Sequence, residues 1–488
     1  MRERPVVVVG AGLGGLAAAL HLAGDGRRVH VVERADTPGG RAGQLRVDGY
    51  TFDTGPTVLT MPDVIASTFA AVGESLTDWL DLVPLDPAYR AHFADGSTLD
   101  VRTDPDAMAA SIEALAGPRE AAGYRDLVRW LTRLYEVEFR SFIDRNIDSP
   151  VGLVSPDLAR LVALGGLRSL SGRIAKHLRD PRTQKVFSFQ TLYAGMAPHE
   201  ALALYGVISY MDTVAGVWFP RGGMHAMARA LAGAAEKHGV EFTYGTAVTR
   251  IETRGGKATA VLTSDGARLP ADAVVVNADL GVAYRSLLPD VPAPRRLARA
   301  RYSPSCLLLH VGADWSSPAL AHHNIHFGQA WRSTFDELVH GGVPQSDPSL
   351  LVCHPSGTDP ALAPAGRHSY YVLVPAPHLG GRFDWAADGD RLIDATWDEL
   401  ARRGYTGLRS SADVVRTVTP VDWAALDLPM GTPFSLAHTF AQTGPFRPAN
   451  RVRGLSNVFF AGAATHPGVG VPTVLISGRL AAERVRKG

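Results

Sequence analysis

Four consecutive valines, Val6-Val7-Val8-Val9, run without a polar interruption into Gly10-Ala11-Gly12-Leu13-Gly14-Gly15, and Leu16-Ala17-Ala18-Ala19-Leu20-His21-Leu22-Ala23 follows as a string of helix formers. A β-branched run with no alternation predicts a strand buried on both faces, so the segment reads as parallel strand, tight turn and helix. After Gly24-Asp25-Gly26 a second strand, Val29-His30-Val31-Val32, ends at Glu33. Far downstream, Asn457-Val458-Phe459-Phe460 enters a second glycine-rich turn, and a helix is expected from Thr473. Between these regions the runs 240–243, 247–252, 257–262 and 273–278 read as four strands punctuated by Gly245, Gly255-Gly256 and Gly266. They predict a small antiparallel sheet that returns the chain to the first unit.

Two long uncharged stretches invite a membrane reading. Residues 5–24 are broken by Gly10, Gly12, Gly14 and Gly15, and residues 454–478 by Asn457, Thr465, His466, Pro467 and Pro472, so both read as strand, loop and helix rather than spans. A different signal lies in residues 151–190, which carry seven Lys and Arg against two Asp. There Leu167, Leu170, Ile174 and Leu178 share one helical face while Arg168, Arg173, Lys176 and Arg179 share the other. Such a helix can lie on an anionic membrane or pack its apolar face on a core.

With 488 residues the chain can hold two large domains, and 49 Lys and Arg against 48 Asp and Glu argue against a polyanion such as nucleic acid as partner. Cys306 and Cys353 cannot make a disulfide framework and have no metal-ligand spacing, so a reducing, cytosolic setting is expected and no metal. His322, His323 and His326 come without a carboxylate motif and read as loop or tunnel wall. No Gly-x-Ser-x-Gly occurs.

The first turn carries the chemistry. Gly10 permits the turn, Gly12 lets the backbone approach a pyrophosphate, Gly15 lets the helix pack on its strand, and the helix N-terminus offers N–H donors to the anion, with Leu13 and Gly14 completing the loop. Glu33, 23 residues past Gly10, stands where an acid can bind ribose hydroxyls. This pattern specifies a dinucleotide and leaves NAD(P) and FAD open, because both present the same ADP half.

Downstream, Pro38-Gly39-Gly40-Arg41 and Tyr50-Thr51-Phe52-Asp53-Thr54-Gly55-Pro56-Thr57 resemble the flavin amine oxidase and carotenoid desaturase superfamily. The C-terminal stretch 462–472, Gly-x-x-Thr-His-Pro-Gly-x-Gly-x-Pro, resembles that of the bacterial-type phytoene desaturases, as do Trp218-Phe219-Pro220-Arg221-Gly222-Gly223 and the region 369–380. The resemblance runs nearly end to end. It implies FAD as cofactor, held by Gly10, Gly12, Leu13, Gly14, Gly15, Glu33, Arg34, Gly40, Arg41, Gly55, Pro56, Thr57, Val248, Gly462, Gly470, Val471 and Pro472. It implies an α/β fold: a discontinuous Rossmann-like FAD-binding domain (1–95, 216–295 and 440–488) with a mixed α+β substrate-binding, membrane-associating domain (96–215 and 296–439).

The activity implied is successive dehydrogenation of phytoene toward lycopene. The rivals are another carotenoid desaturase, isomerase or saturase of the same family, an amine oxidase, and a non-catalytic isoprenoid carrier. Lack of a second G-x-G-x-x-G favours a quinone or dioxygen over NAD(P) as electron acceptor. A polyene substrate drawn from the bilayer implies a cytoplasmic protein peripheral on the inner face of the cell membrane. Asp157 and Arg160, three residues apart, resemble an Asp-x-x-Arg of the family and are the candidate catalytic pair, with a surface ion pair as the alternative.

Overall fold

The computed structural model describes residues 4–487. The valine run forms the strand Val6–Val9 at the centre of a five-stranded sheet, between Ala273–Val276 and Val29–Val32, with Val458–Phe460 and Glu241–Thr243 at the edges. All four pairings are parallel, Val6 standing opposite both Ala273 and Val29. Val6 and Val8 face a core built with the helices Leu13–Gly24, His225–Lys237 and Val471–Lys487, whereas Val7 and Val9 face Ile251 and Val261 on the other side. Burial on both faces is why the run shows no polar alternation.

The middle strands divide differently from the expectation. Val248–Arg254, Lys257–Thr263 and Arg268–Pro270 make a three-stranded antiparallel sheet, while the strands before and after it join the parallel sheet. The strand Arg268–Pro270 is too short to carry its own hydrophobic period, so the pattern did not reveal it.

A second sheet of seven strands has Ser305–Ala313 paired to His368–Ala376 along nine residues. It is antiparallel except where His323–His326 runs parallel to Tyr89–His92. Tyr89–His92, inside the segment 1–95, therefore belongs by hydrogen bonding to this sheet. Beside it the helices Pro105–Ala116 and Pro118–Glu138 form a further core with Leu170, Ile174, Leu178, Phe187 and Phe219. The apolar side chains of the basic segment thus face the protein: Leu170, Ile174 and Leu178 are buried, and the Arg173 guanidinium lies 5.1 Å above the Trp130 ring. Of that face only Leu167 is exposed. Among the described residues no helix is long and apolar enough to cross a membrane.

Candidate functional site

Strand Val6–Val9 delivers the chain to Gly10, whose φ of +99° is accessible to glycine at little cost. A Cβ on Gly15 would stand 2.1 Å from the Gly10 carbonyl oxygen, so the helix can start this close to its strand only with glycine there. The helix Leu13–Gly24 has no side-chain cap and no acid in its first turn. Its leading N–H groups are left for a ligand, and the helix dipole favours an anion. Glu33, 6% exposed, accepts hydrogen bonds from the backbone N–H of Ala11 (2.6 Å) and Ala35 (2.9 Å), which holds its carboxylate beside the glycine turn. Thr246 and Gly245 donate to the carbonyls of Glu33 and Ala35, bringing the approach to Val248 alongside.

The other expected segments converge on the same turn. Gly39 donates to the Ala11 carbonyl, and a Cβ on Gly40 would lie 3.3 Å from Gly12 Cα. Arg41 is half-buried and donates to the Pro433 carbonyl; desolvation draws its pKa down while Asp279 opposes the shift. A Cβ on Gly55 would collide with the Arg41 carbonyl at 1.9 Å, so Gly55-Pro56-Thr57 lies directly against it. The Tyr371 hydroxyl donates to the Gly55 carbonyl (2.9 Å). At the C-terminal turn, Gly462 donates to Ser477 Oγ, and a Cβ on Gly478 would stand 2.2 Å from the Gly14 carbonyl. The helices Leu13–Gly24 and Val471–Lys487 consequently press together through glycine. Gly470, at φ +128°, precedes Val471 and Pro472 at the start of the second helix.

Several residues that hold this arrangement had no sequence signal of their own. Asn277, at the end of strand Ala273–Val276, donates through Nδ2 to the Ala461 carbonyl (2.9 Å), joining the two glycine turns. Its Oδ1 stands 2.6 Å from where a Cβ on Gly12 would be. Arg447, 1% exposed, donates to the carbonyls of Leu436, Gln442, Ala463 and Thr465 and so fastens the second turn. Asp53 accepts from the N–H groups of Met224 (2.7 Å) and His225 (3.1 Å), capping the helix His225–Lys237. Burial pushes its pKa up to about 6, against those two hydrogen bonds. Only its place in a motif singled out Asp53; Asn277 and Arg447 are ordinary residue types whose partners lie far along the chain or in loops.

Other candidates sit elsewhere. Asp157 and Arg160 pair at 2.7 Å on the short helix Pro156–Ala163, Asp157 also accepting from Ser141 Oγ, and the Arg160 side chain is largely exposed. Those bonds hold Asp157's carboxyl below the usual carboxylate range. This is the geometry of a partly exposed ion pair within one helix. Arg34 donates to Asp427 Oδ2 (2.6 Å) and to the Leu426 carbonyl (2.8 Å). His322 bonds to Thr358, His323 to Cys353 Sγ and His326 to Tyr405, and burial lowers His323 to about 3 and His326 to about 2, so they are neutral at pH 7. Among the described residues no three His, Cys, Asp or Glu are grouped to hold a metal. A cavity of about 10 Å³ lined by Thr57, Phe219, His322, Cys353 and Tyr371 has room for about one water and is no path for a polyene.

For FAD the chain fits. It presents an uncapped helix N-terminus behind a glycine turn, a buried acid at the end of the second strand, and a second glycine turn and helix N-terminus packed against the first.

Comparison with known proteins gives a consistent set. The family model for flavin containing amine oxidoreductases matches residues 13–486. The chain is 57% identical over 483 residues to the phytoene dehydrogenase of Streptomyces griseus, covering 98% of this chain and 94% of that one. It is 40% identical to the zeta-carotene-forming phytoene desaturase of Myxococcus xanthus (99% and 94% covered) and 36% identical to the lycopene-forming phytoene desaturase of Pantoea ananas (98% and 98% covered). Among solved structures, an oxidoreductase from Methanosarcina mazei superimposes with a TM-score of 0.65 at 17% identity, covering 99% of this chain and 100% of that one. Cyclohexylamine oxidase from Brevibacterium oxydans superimposes with a TM-score of 0.61 at 17% identity, covering 99% of each. At such identities the likeness is one of fold.

Proposed function

We propose, for a chain that belongs to the flavin-containing amine oxidoreductase family, that it is an FAD-dependent phytoene desaturase acting in successive dehydrogenation steps toward lycopene in carotenoid biosynthesis. The observation that carries the reading is that three relatives named as phytoene dehydrogenase or desaturase each align with 98–99% of the chain, including both glycine turns. The amine oxidase reading rests on fold alone.

Bound FAD would supply the two-electron acceptor that C–H oxidation needs. The chain's part is to hold it. N–H groups at the start of Leu13–Gly24 take the pyrophosphate, Glu33 takes ribose hydroxyls, and the N-terminus of Val471–Lys487 offers partial positive charge at Gly470, Val471 and Pro472. Burial of Tyr371, Cys353 and His323 keeps this side of the pocket neutral and poor in water.

Electrons pass onward to a quinone or to dioxygen, a reading supported by the single dinucleotide fingerprint. The protein collects its substrate as a peripheral protein on the inner face of the cell membrane. The face that supports this contact is not the basic segment but a patch where the turns Pro150–Leu153 and Gly444–Phe446 meet. Val151 (78% exposed), Val154 (79%) and Phe440 (60%) stand out there, the Phe440 and Phe446 rings 5.8 Å apart, with Arg296 donating to the Phe446 carbonyl. Exposed apolar groups flanked by cations suit an anionic lipid surface.

The test is incubation of purified protein with FAD, phytoene in liposomes and a quinone, without and then with air, reading polyene absorption bands and chromatographed products. Longer conjugated products support the reading and their double bonds count the steps. Bound FAD with no product from phytoene would refute it.

A further inference from the structure

We infer that the Asp212 carboxylate is the base that receives the proton lost from the polyene in each desaturation step; this rests on the desaturase reading above. Asp212 lies in one of four π-helical turns among the described residues, Met211–Ala215, which ends the helix Gly206–Tyr210 and leads into Gly216-Val217-Trp218-Phe219. Such wide turns re-aim side chains and recur at functional sites. The residue is 4% exposed, yet its carboxylate makes no hydrogen bond to any described residue. Other buried carboxylates are held in place: Glu120 accepts from the N–H of Arg179 and Asp180 and from Thr183 Oγ1, and Glu33 from Ala11 and Ala35. A buried carboxyl with no partner costs folding free energy, so its retention needs another reason.

The surroundings supply one. The titratable groups that face Asp212 are two phenols, Tyr89 from the strand Tyr89–His92 and Tyr193 from the turn Phe189–Ala194, and each feels its charge. The strand that follows the turn Met211–Ala215 returns to the Gly55-Pro56-Thr57 region: the Trp218 N–H donates to the Leu59 carbonyl (2.9 Å), and Phe219 lines one cavity with Thr57 and Cys353. Asp212 thus sits in the turn that feeds the strand packed against the segment expected to line the flavin. The core beside this turn is apolar and includes Phe189, with Val214 of the same turn packed against it. Glu138 is a buried carboxyl whose Oε1 has no hydrogen-bond partner among the described residues, but its charged neighbourhood is Tyr205, on the Arg447 side.

Making one double bond removes a hydride, with both electrons of its C–H bond, to the two-electron acceptor. A proton then leaves the neighbouring carbon, and the electron pair of that second bond becomes the π bond. An unsolvated carboxylate in an apolar site is suited to take the proton. Burial pushes Asp212's pKa up to about 7, so at neutral pH the group can accept a proton and return it to solvent before the next step.

Two measurements test this. In FAD-free protein, infrared titration should show a protonated-carboxyl band that disappears as pH rises through about 7 and is missing in Asp212→Asn. With FAD bound, anaerobic single-turnover flavin bleaching by phytoene should fall tenfold per pH unit below that value. Asp212→Asn should lose about 100-fold or more in rate, with a flat profile and unchanged flavin content, and Asp212→Glu should keep part of the rate with a displaced limb. Wild-type rate or a retained limb in Asp212→Asn, a limb moved instead by Glu138→Gln, or no such infrared band would overturn the assignment. If wild type gave the band but no product from any carotenoid, the desaturase reading would fall and the proton role with it.

Discussion

Gly12 and Asn277 stand 265 residues apart and compete for one space, which makes a double-mutant cycle informative. A Cβ on Gly12 would lie 2.6 Å from Asn277 Oδ1, closer than such atoms can sit. Asn277 cannot simply turn aside, because its Nδ2 is bonded to the Ala461 carbonyl. In Gly12→Ala the amide must swing and break that bond, leaving a largely buried carbonyl without its partner, at a cost of about 1–3 kcal/mol. Asn277→Ala breaks the same bond and costs about the same, by the same reasoning. The double variant breaks it only once, so its loss should match either single variant, a coupling of about 1–3 kcal/mol. Urea unfolding of the FAD-free protein reads this directly. Flavin binding, followed by fluorescence quenching, should separate the variants: Asn277→Ala retains FAD, whereas the double variant recovers no affinity over Gly12→Ala, since the methyl still obstructs the pyrophosphate. Strictly additive losses would show that the bond to Ala461 does not link the two turns. Recovery of FAD binding in the double variant would show that Gly12 is glycine for Asn277's sake and not for the dinucleotide's.

Gly478→Ala should destabilise by about 1–3 kcal/mol and weaken FAD binding, because its Cβ would meet the Gly14 carbonyl at 2.2 Å; a melting midpoint equal to wild type would contradict the close packing of the two helices. Asp53 has a folded pKa raised to about 6, so its contribution to stability is fully present below the unfolded value near 3.8 and is lost as pH rises through about 6. The stability difference between wild type and Asp53→Asn should therefore change between about pH 4 and 6 and stay level above; a difference constant across that window would show that Asp53 is not the titrating group. Asp157→Asn should leave turnover within about twofold, as expected for an exposed pair, and a loss of tenfold or more with FAD retained would return Asp157 to catalysis. Phe440→Ser with Val154→Ser should release the protein from anionic liposomes, while reversing Arg168, Arg173, Lys176 and Arg179 should not; the opposite pattern would place the contact on the basic segment.

The cofactor half of this protein was legible because its signals are local. A valine run, a turn that needs glycine at Gly10 and an acid at the end of the next strand each follow from backbone sterics within about 30 residues, and the structure assembles them as the spacing requires. The same holds for the second glycine turn before Val471. The basic segment shows where locality fails. Its period of 3.6 correctly grouped Leu170, Ile174 and Leu178, but a period cannot say whether an apolar face meets lipid or Trp130.

Asp157 was readable only as a short pattern, and its bonds to Ser141 and the exposed Arg160 came only with the fold. Asn277, Arg447 and Asp212 have no local signature at all: an amide, a guanidinium and a carboxyl of common types acquire roles from partners brought up by folding. By itself the sequence determined a parallel strand-turn-helix unit and the dinucleotide it can hold, since these depend on which torsion angles and side-chain volumes neighbouring residues permit. Only the tertiary structure decided which polar groups staple the two turns, which apolar face reaches the surface and which carboxyl is left buried without a partner, because burial and pairing are properties of what the rest of the chain places nearby.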